Sequence, residues 1–221
     1  SDCVNTDWWD NGRLVEITFQ HKKLTSIIPE SFGLLDKLEI LRLTGNMLSG
    51  SIPNSLTNLE NLRTLKLSSN NLSGEIPENI GALTRLDSMM LSDNLLEGNI
   101  PESIGNISNI KYLYFDGNLL TGSIPETIGD LGKIVNLYLD NNKLTGEIPS
   151  SIGNLLTLQR LYLLNNCMTG EIPGEICNIY DSNPDFRTML HNNRFVLPQP
   201  DCMSDGHIGH QFDPHVECPF N

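Results

Sequence analysis

Apolar residues recur along this chain in a pattern that repeats every 24 residues. In the stretch Leu62-Arg63-Thr64-Leu65-Lys66-Leu67-Ser68-Ser69-Asn70-Asn71-Leu72-Ser73-Gly74-Glu75-Ile76-Pro77, Leu65 and Leu67 alternate with polar neighbours. That is the period of two of a short strand with one face inward. Further apolar positions follow at Leu72, Ile76, Ile80 and Leu83, and their counterparts in neighbouring units are nearly all Leu, Ile or Met, as the filling of a coil requires. Asn46, Asn70, Asn94, Asn118, Asn142 and Asn166 keep the 24-residue step without a slip. A buried amide at the end of each strand satisfies turn backbone that would otherwise lack partners, which predicts an asparagine ladder. Ile-Pro pairs beginning at Ile28, Ile52, Ile76, Ile100, Ile124, Ile148 and Ile172 keep the same step, most with a Gly two residues earlier. Proline there predicts an irregular or edge-like outer segment instead of a regular helix, and the glycine relieves crowding beside it.

One such unit cannot bury its own apolar side, so stacking of units supplies the core and the two ends need special caps. The ends depart from the pattern as expected. In the first unit, Leu14 to Pro29, Lys22 takes the ladder position and Phe19 replaces a Leu. At the other end, a step of 24 from Asn166 reaches Leu190, whereas the ladder-like residue is Asn193, so Tyr180-Asp181-Ser182-Asn183-Pro184-Asp185 hides an insertion of three. The predicted organisation is a cap remnant over 1–13, a repeat array of about eight units over 14–193, and a Cys- and Pro-containing cap over 194–221.

Between Leu14 and Asn193 the units match LxxLxLxxNxLxGxIPxxIGxLxx, and the chain resembles the plant-type leucine-rich repeat family, which includes receptor-like kinase ectodomains and polygalacturonase-inhibiting proteins. The N-terminal cap is atypical or truncated: where the family has a paired-cysteine module, this chain has Cys3 and the Trp8-Trp9 pair. The resemblance implies an α/β repeat solenoid, a right-handed superhelix with a parallel concave sheet, a second sheet-like edge at the Gly-x-Ile-Pro segments and an irregular or 3₁₀ convex side.

In such a coil the strand residues between the inward leucines face solvent on the concave side, with equivalents on adjacent strands about 4.8 Å apart. The column four before the ladder Asn reads Thr18, Arg42, Lys66, Met90, Tyr114, Tyr138, Tyr162 and, in the shifted register, Met189. Tyr112 lies on the same face, and the column two before the ladder Asn includes Ser92, Asp116, Asp140 and Leu164. Four of the five tyrosines therefore converge beside two carboxylates. Tyrosine offers a rigid surface with a polar tip, and carboxylates accept hydrogen bonds from a peptide, a sugar or a basic side chain. The competing reading is that stacked tyrosines are good cross-strand neighbours that merely cover the sheet. At the opposite end of the strip, Arg42 and Lys66 are positioned to orient an elongated ligand, against the plainer reading of a solvated, mixed-charge face.

Charge narrows the partners. Lys and Arg number 14 against 27 Asp and Glu, a formal net charge of −13, which argues against nucleic acid and anionic membranes. No run approaches the roughly 18 apolar residues of a membrane span, so direct membrane insertion is not expected. Of five cysteines, Cys167, Cys177, Cys202 and Cys218 crowd the last quarter as disulfide candidates for a stapled cap, and the odd count leaves Cys3 over. Disulfides point to an oxidising compartment, with reduced buried thiols as the alternative. Asn71-Leu72-Ser73 and Asn106-Ile107-Ser108 are N-glycosylation sequons.

Signatures of catalysis are missing: no phosphate-binding loop, no Gly-x-Ser-x-Gly and no HExxH. Asp116 and Asp140 are a strand spacing apart, near the separation of a retaining glycosidase pair, but the pattern suggests no enclosed pocket around them. Asp205, His207, His210, Asp213 and His215 carry metal-ligand chemistry, and a polar cap is the reading adopted for them. No cofactor and no metal are expected. The sequence thus reads as a secreted or extracellular, monomeric, non-catalytic recognition module that binds a protein, peptide or carbohydrate on its concave face. The alternatives are a secreted inhibitor of a hydrolytic enzyme, or ice binding through the Thr121, Thr145 and Thr169 column, which Glu97 interrupts.

Overall fold

The computed structural model describes residues 9–10, 12–203 and 211, with the backbone alone at 9 and 10. Eight parallel strands form the concave sheet in chain order: Glu16–Thr18, Ile40–Arg42, Thr64–Lys66, Ser88–Met90, Tyr112–Tyr114, Asn136–Tyr138, Arg160–Tyr162 and Arg187–Met189. Each is three residues long, and its middle residue is an inward side chain such as Leu65, Leu113 or Leu161, all fully buried. A second, four-stranded parallel sheet of Ser49–Gly50, Asn71–Glu75, Leu95–Gly98 and Leu119–Leu120 forms the lateral edge. At the start, Trp9–Asp10 pairs antiparallel with Arg13–Leu14.

The asparagines behave as the pattern predicts. Asn118 donates through Nδ2 to the carbonyls of Leu91 at 3.1 Å and Phe115 at 3.0 Å, and its Oδ1 accepts the Leu96 N–H at 3.1 Å. One amide therefore joins backbone groups of two successive coils. Asn193 does the same, bonding Leu163 O at 2.9 Å, Leu190 O at 3.1 Å and the Met168 N–H at 3.1 Å, so the shifted register is real. Accordingly Arg160 pairs with Arg187, Leu161 with Thr188 and Tyr162 with Met189. The extra residues are taken up by an α-helix, Cys177–Ser182, which follows the 3₁₀ turn Gly174–Ile176. Asn183 closes that helix by donating to Leu158 O at 3.0 Å. In the first unit Lys22 is exposed, and its N–H donates at 3.0 Å to Asn46 Oδ1 of the next coil.

On the convex side each coil makes a 3₁₀ turn, and Pro29, Pro53, Pro101, Pro125, Pro149 and Pro173 directly precede turns, fixing φ where the chain enters them. Coil stacking there explains the Ile-Gly pairs: a Cβ on Gly105 would stand 2.5 Å from the Thr127 carbonyl oxygen of the next coil. Thr127 Oγ1 in turn donates to Glu102 O at 2.7 Å, and Ser55 and Ser151 make the equivalent bond to Glu30 and Glu126. The Gly-x-Ile-Pro glycines have a reason beyond crowding: Gly98 has φ +75° and Gly122 φ +70°, values side chains rarely adopt.

Candidate ligand-binding strip on the concave sheet

The concave columns form in the register read from the sequence. Tyr114 pairs with Met90 on one side and Tyr138 on the other, and Tyr138 with Tyr162. Because strand spacing is close to ring-stacking distance, the three rings stack in parallel: Tyr114 to Tyr138 at 4.4 Å and Tyr138 to Tyr162 at 4.5 Å between centroids, each pair 8° from coplanar. Tyr112 meets Tyr114 edge-on at 6.3 Å. Burial, with Tyr114 and Tyr162 on either side, pushes the Tyr138 phenol up to about 12, so it stays a neutral hydrogen-bonding group at physiological pH.

Asp116 and Asp140 lie beside the rings on adjacent strands. Ser92 Oγ donates to Asp116 at 2.7 Å, and Asn141 Nδ2 donates to Asp140. Asn192 continues this chain to Asn165 and Asn165 to Asn141, so a row of amides, half-buried at Asn192 and Asn165 and exposed at Asn141, runs into the Asp140 carboxylate. These amides occupy a left-handed position, with φ of 54°, 54° and 57° at Asn141, Asn165 and Asn192, which Asn tolerates better than most residues. Burial raises both carboxyls, against the Ser92 bond in the case of Asp116, and with Asp116 repelling Asp140 its carboxyl is pushed up to about 6.

The Asp140 shift sets a pH dependence. A carboxyl raised on folding favours the native state while it is protonated, so its contribution is complete below the ordinary value of 3.8 and is lost as pH rises through about 6. Asp140→Asn is therefore expected to raise Tm at about pH 7.5 and leave it nearly unchanged at about pH 4. Because the group is partly solvated, the gain is discounted to about 1 kcal/mol, or about 2–4 °C. Equal melting of both proteins at the higher pH would contradict the assignment.

Other candidates separate. Arg42 does not stand ready for a ligand: it is ion-paired with Glu16 at 3.0 Å, and Thr18 Oγ1 donates to the same Glu16 oxygen at 2.7 Å. Lys66 is half-buried in the same column, away from the tyrosine stack. Cys177 is bonded to Cys202, and Cys167 is disulfide-bonded as well; Cys3 and Cys218 lie outside the described residues. So do Asp205, His207, His210, Asp213 and His215. Asn71 is exposed on the lateral sheet, and Asn106 is exposed beside a convex groove of about 1000 Å³ lined also by Asn61, Arg85 and Ser103.

Three strip residues were not singled out from the sequence. Asn136 donates to the Tyr114 hydroxyl at 2.8 Å, and Arg160 and Arg187 are exposed in the same column, six before the ladder Asn. Counting that column with the same 24-residue step finds Asn136 and Arg160.

A short-stranded parallel concave sheet, 3₁₀ turns outside and a ladder of buried amides define a leucine-rich repeat solenoid. The chain belongs to the leucine-rich repeat family: models described as leucine rich repeat match residues 12–72, 84–144 and 157–179, more than half of it. Among solved structures, the plant peptide hormone receptor RGFR1 in complex with RGF2 is 34% identical, with a TM-score of 0.75 over 78% of this chain and 27% of that one. The ectodomain of the Arabidopsis thaliana receptor kinase GASSHO1/SCHENGEN3, in complex with CASPARIAN STRIP INTEGRITY FACTOR 2, is 33% identical, with a TM-score of 0.79 over 91% of this chain and 24% of that one. The chain thus spans about a quarter of the length of these receptor chains. A plant ice-binding protein is 23% identical, with a TM-score of 0.64 over 90% of this chain and 72% of that one, a likeness of fold alone. No curated protein sequence matches the chain.

Proposed function

We propose that this protein is an extracellular, non-catalytic recognition module that binds an extended peptide along the stacked Tyr114, Tyr138 and Tyr162 rings, beside which Tyr112 stands edge-on, with Asp116 and Asp140 as polar contacts. The observation that carries this reading is the stack of three parallel rings at 4.4 and 4.5 Å, flanked by carboxylates on one side and Arg160 on the other. Such a surface gives a flexible chain apolar contact at fixed spacing, with charges of both signs at its margins. That the similar receptor RGFR1 is a peptide hormone receptor favours peptide over carbohydrate. Among the described residues no helix is long and apolar enough to cross a membrane, and the disulfides suit an oxidising compartment.

The sequons fit the same picture. Asn71 and Asn106 are exposed on the lateral and convex sides, so glycans there leave the strand face bare. We read both as glycosylated. Enzymatic deglycosylation of the secreted protein should change its mass by two glycans, and a single glycan in the variant Asn106→Gln. An unchanged mass rules the modification out. For the ice-binding alternative, the edge column of Thr121, Thr145 and Thr169 is broken by Glu97, and Glu75, Glu147 and Glu171 adjoin it.

The function is tested by selecting a random dodecapeptide library on the full chain and, in parallel, on the double variant Tyr114→Ala and Tyr138→Ala. Peptides should be enriched by the native protein and not by the variant. Equal enrichment on both would place recognition elsewhere.

A further inference from the structure

Two oxygen atoms on the concave face are sealed from solvent without a hydrogen-bond partner: Ser88 Oγ and Asn136 Oδ1. Concave residues ordinarily keep contact with water, and in this column Thr64 is half-buried while Arg160 and Arg187 are exposed. Ser88 and Asn136 are instead 8% and 6% exposed. Both are direct strand neighbours of Tyr112, one on each side, with all three side chains on the same face. Tyr112 itself is 37% exposed, and its hydroxyl bonds no other described residue. The ring is held by an edge contact at 6.3 Å, unlike the stacked rings beside it. A weakly held ring thus stands between two polar groups that lose hydration without compensation, a combination that favours opening.

We propose that Tyr112 is a displaceable cover, and that Ser88 Oγ and Asn136 Oδ1 flanking it are the groups that bond the backbone of an extended peptide once the ring moves aside. Asn136 Oδ1 accepts a peptide N–H, because its amide nitrogen is already committed to the Tyr114 hydroxyl. Ser88 Oγ–H donates to a peptide carbonyl. The spacing agrees: two strand steps separate the pair by about 10 Å, and in an extended chain rising about 3.3 Å per residue the N–H of one residue and the C=O two residues on share an edge about 9 Å apart. Backbone contact of this kind fixes register whatever the side chains, while the stacked tyrosines select among them. Tyr112 then differs in role from Tyr114, Tyr138 and Tyr162: it yields its place, and they stay.

This inference rests on the peptide reading above and uses the same probe. A dodecapeptide selected on the full chain, and its single backbone N-methyl derivatives, are titrated against the native protein, Asn136→Leu and Tyr112→Ala. One N-methyl derivative should bind the native protein about tenfold more weakly than its parent and show no such loss on Asn136→Leu, since the acceptor it misses is already gone. Tyr112→Ala should bind the parent peptide as tightly as the native protein, or up to about threefold more tightly, because nothing need be displaced. An equal N-methyl penalty on the native protein and Asn136→Leu, or a loss of about tenfold with Tyr112→Ala, overturns the inference and leaves the peptide reading standing. Recovery of no peptide removes both. Melting curves check that each variant folds, and Asn136→Ala replaces Asn136→Leu if the larger side chain disrupts the strip.

Discussion

Asn142→Ala is expected to destabilise the protein by about 2–4 kcal/mol, far beyond what loss of a surface asparagine does. Asn142 is 2% exposed. Its Nδ2 donates to Phe115 O at 3.0 Å and Leu139 O at 3.1 Å, and its Oδ1 accepts the Leu120 N–H at 3.0 Å. Alanine strands the Leu120 N–H inside the coil, at a cost of about 1–3 kcal/mol, and removes one of two bonds from each carbonyl, since Phe115 O keeps Asn118 Nδ2 and Leu139 O keeps Asn166 Nδ2. Some relaxation and water entry offset the sum. Since the three groups belong to two successive coils, the loss strikes the interface on which a solenoid's cooperativity depends. Asn154→Ala, on the exposed convex surface, is the control and should stay within about 0.5 kcal/mol of the native protein. Urea unfolding followed by circular dichroism gives both values. A change below about 1 kcal/mol for Asn142→Ala would mean that the ladder amides are ornaments of the repeat and not its fastening.

The second large effect is on binding. Tyr138→Ala should weaken a selected peptide by about 2 kcal/mol, roughly thirtyfold, and more than Tyr162→Ala does. Tyr138 is the middle ring, with a neighbour at 4.4 Å on one side and 4.5 Å on the other, so its removal opens a gap in a continuous surface. Tyr162 has only one ring neighbour in the stack, and its loss shortens the surface without splitting it. Tyr138→Phe keeps the stacking and should remain within about threefold of the native protein if ring contact dominates over the hydroxyl. The effect should appear mainly in the dissociation rate, as it does when a packed contact is lost. If Tyr138→Ala binds the peptide as the native protein does, the rings serve only to cover the sheet.

How far the sequence could be read depended on how the information is stored. The core leucines, ladder asparagines, Ile-Pro pairs and the three-residue slip before Asn193 repeat along the chain, so neighbouring units supply the comparison each unit needs. The tyrosine column was legible for the same reason: Tyr114, Tyr138 and Tyr162 keep the step of 24. Arg42 shows where such counting ends. Its column is right, but its charge is already spent on Glu16 of the neighbouring strand, and only the side-chain geometry reveals that. Asn136 and Ser88 are a second case. Their column could be counted, but nothing in it says that both, on either side of Tyr112, keep an oxygen with neither water nor partner. The helix Cys177–Ser182 is a third: the slip announces extra residues, not the form they take.

By itself, then, the sequence determined the solenoid, its strand register, the position of each inward side chain and the columns that face outward. These follow from periodicity, because a coil that buries its apolar side only against its neighbours must place equivalent residues at equivalent heights. Tertiary structure alone decided which outward residues are available. That depends on hydration and partners set by contacts between coils: Asp140 raised by burial and by Asp116, Arg42 neutralised by Glu16, and Ser88 and Asn136 closed off beside Tyr112.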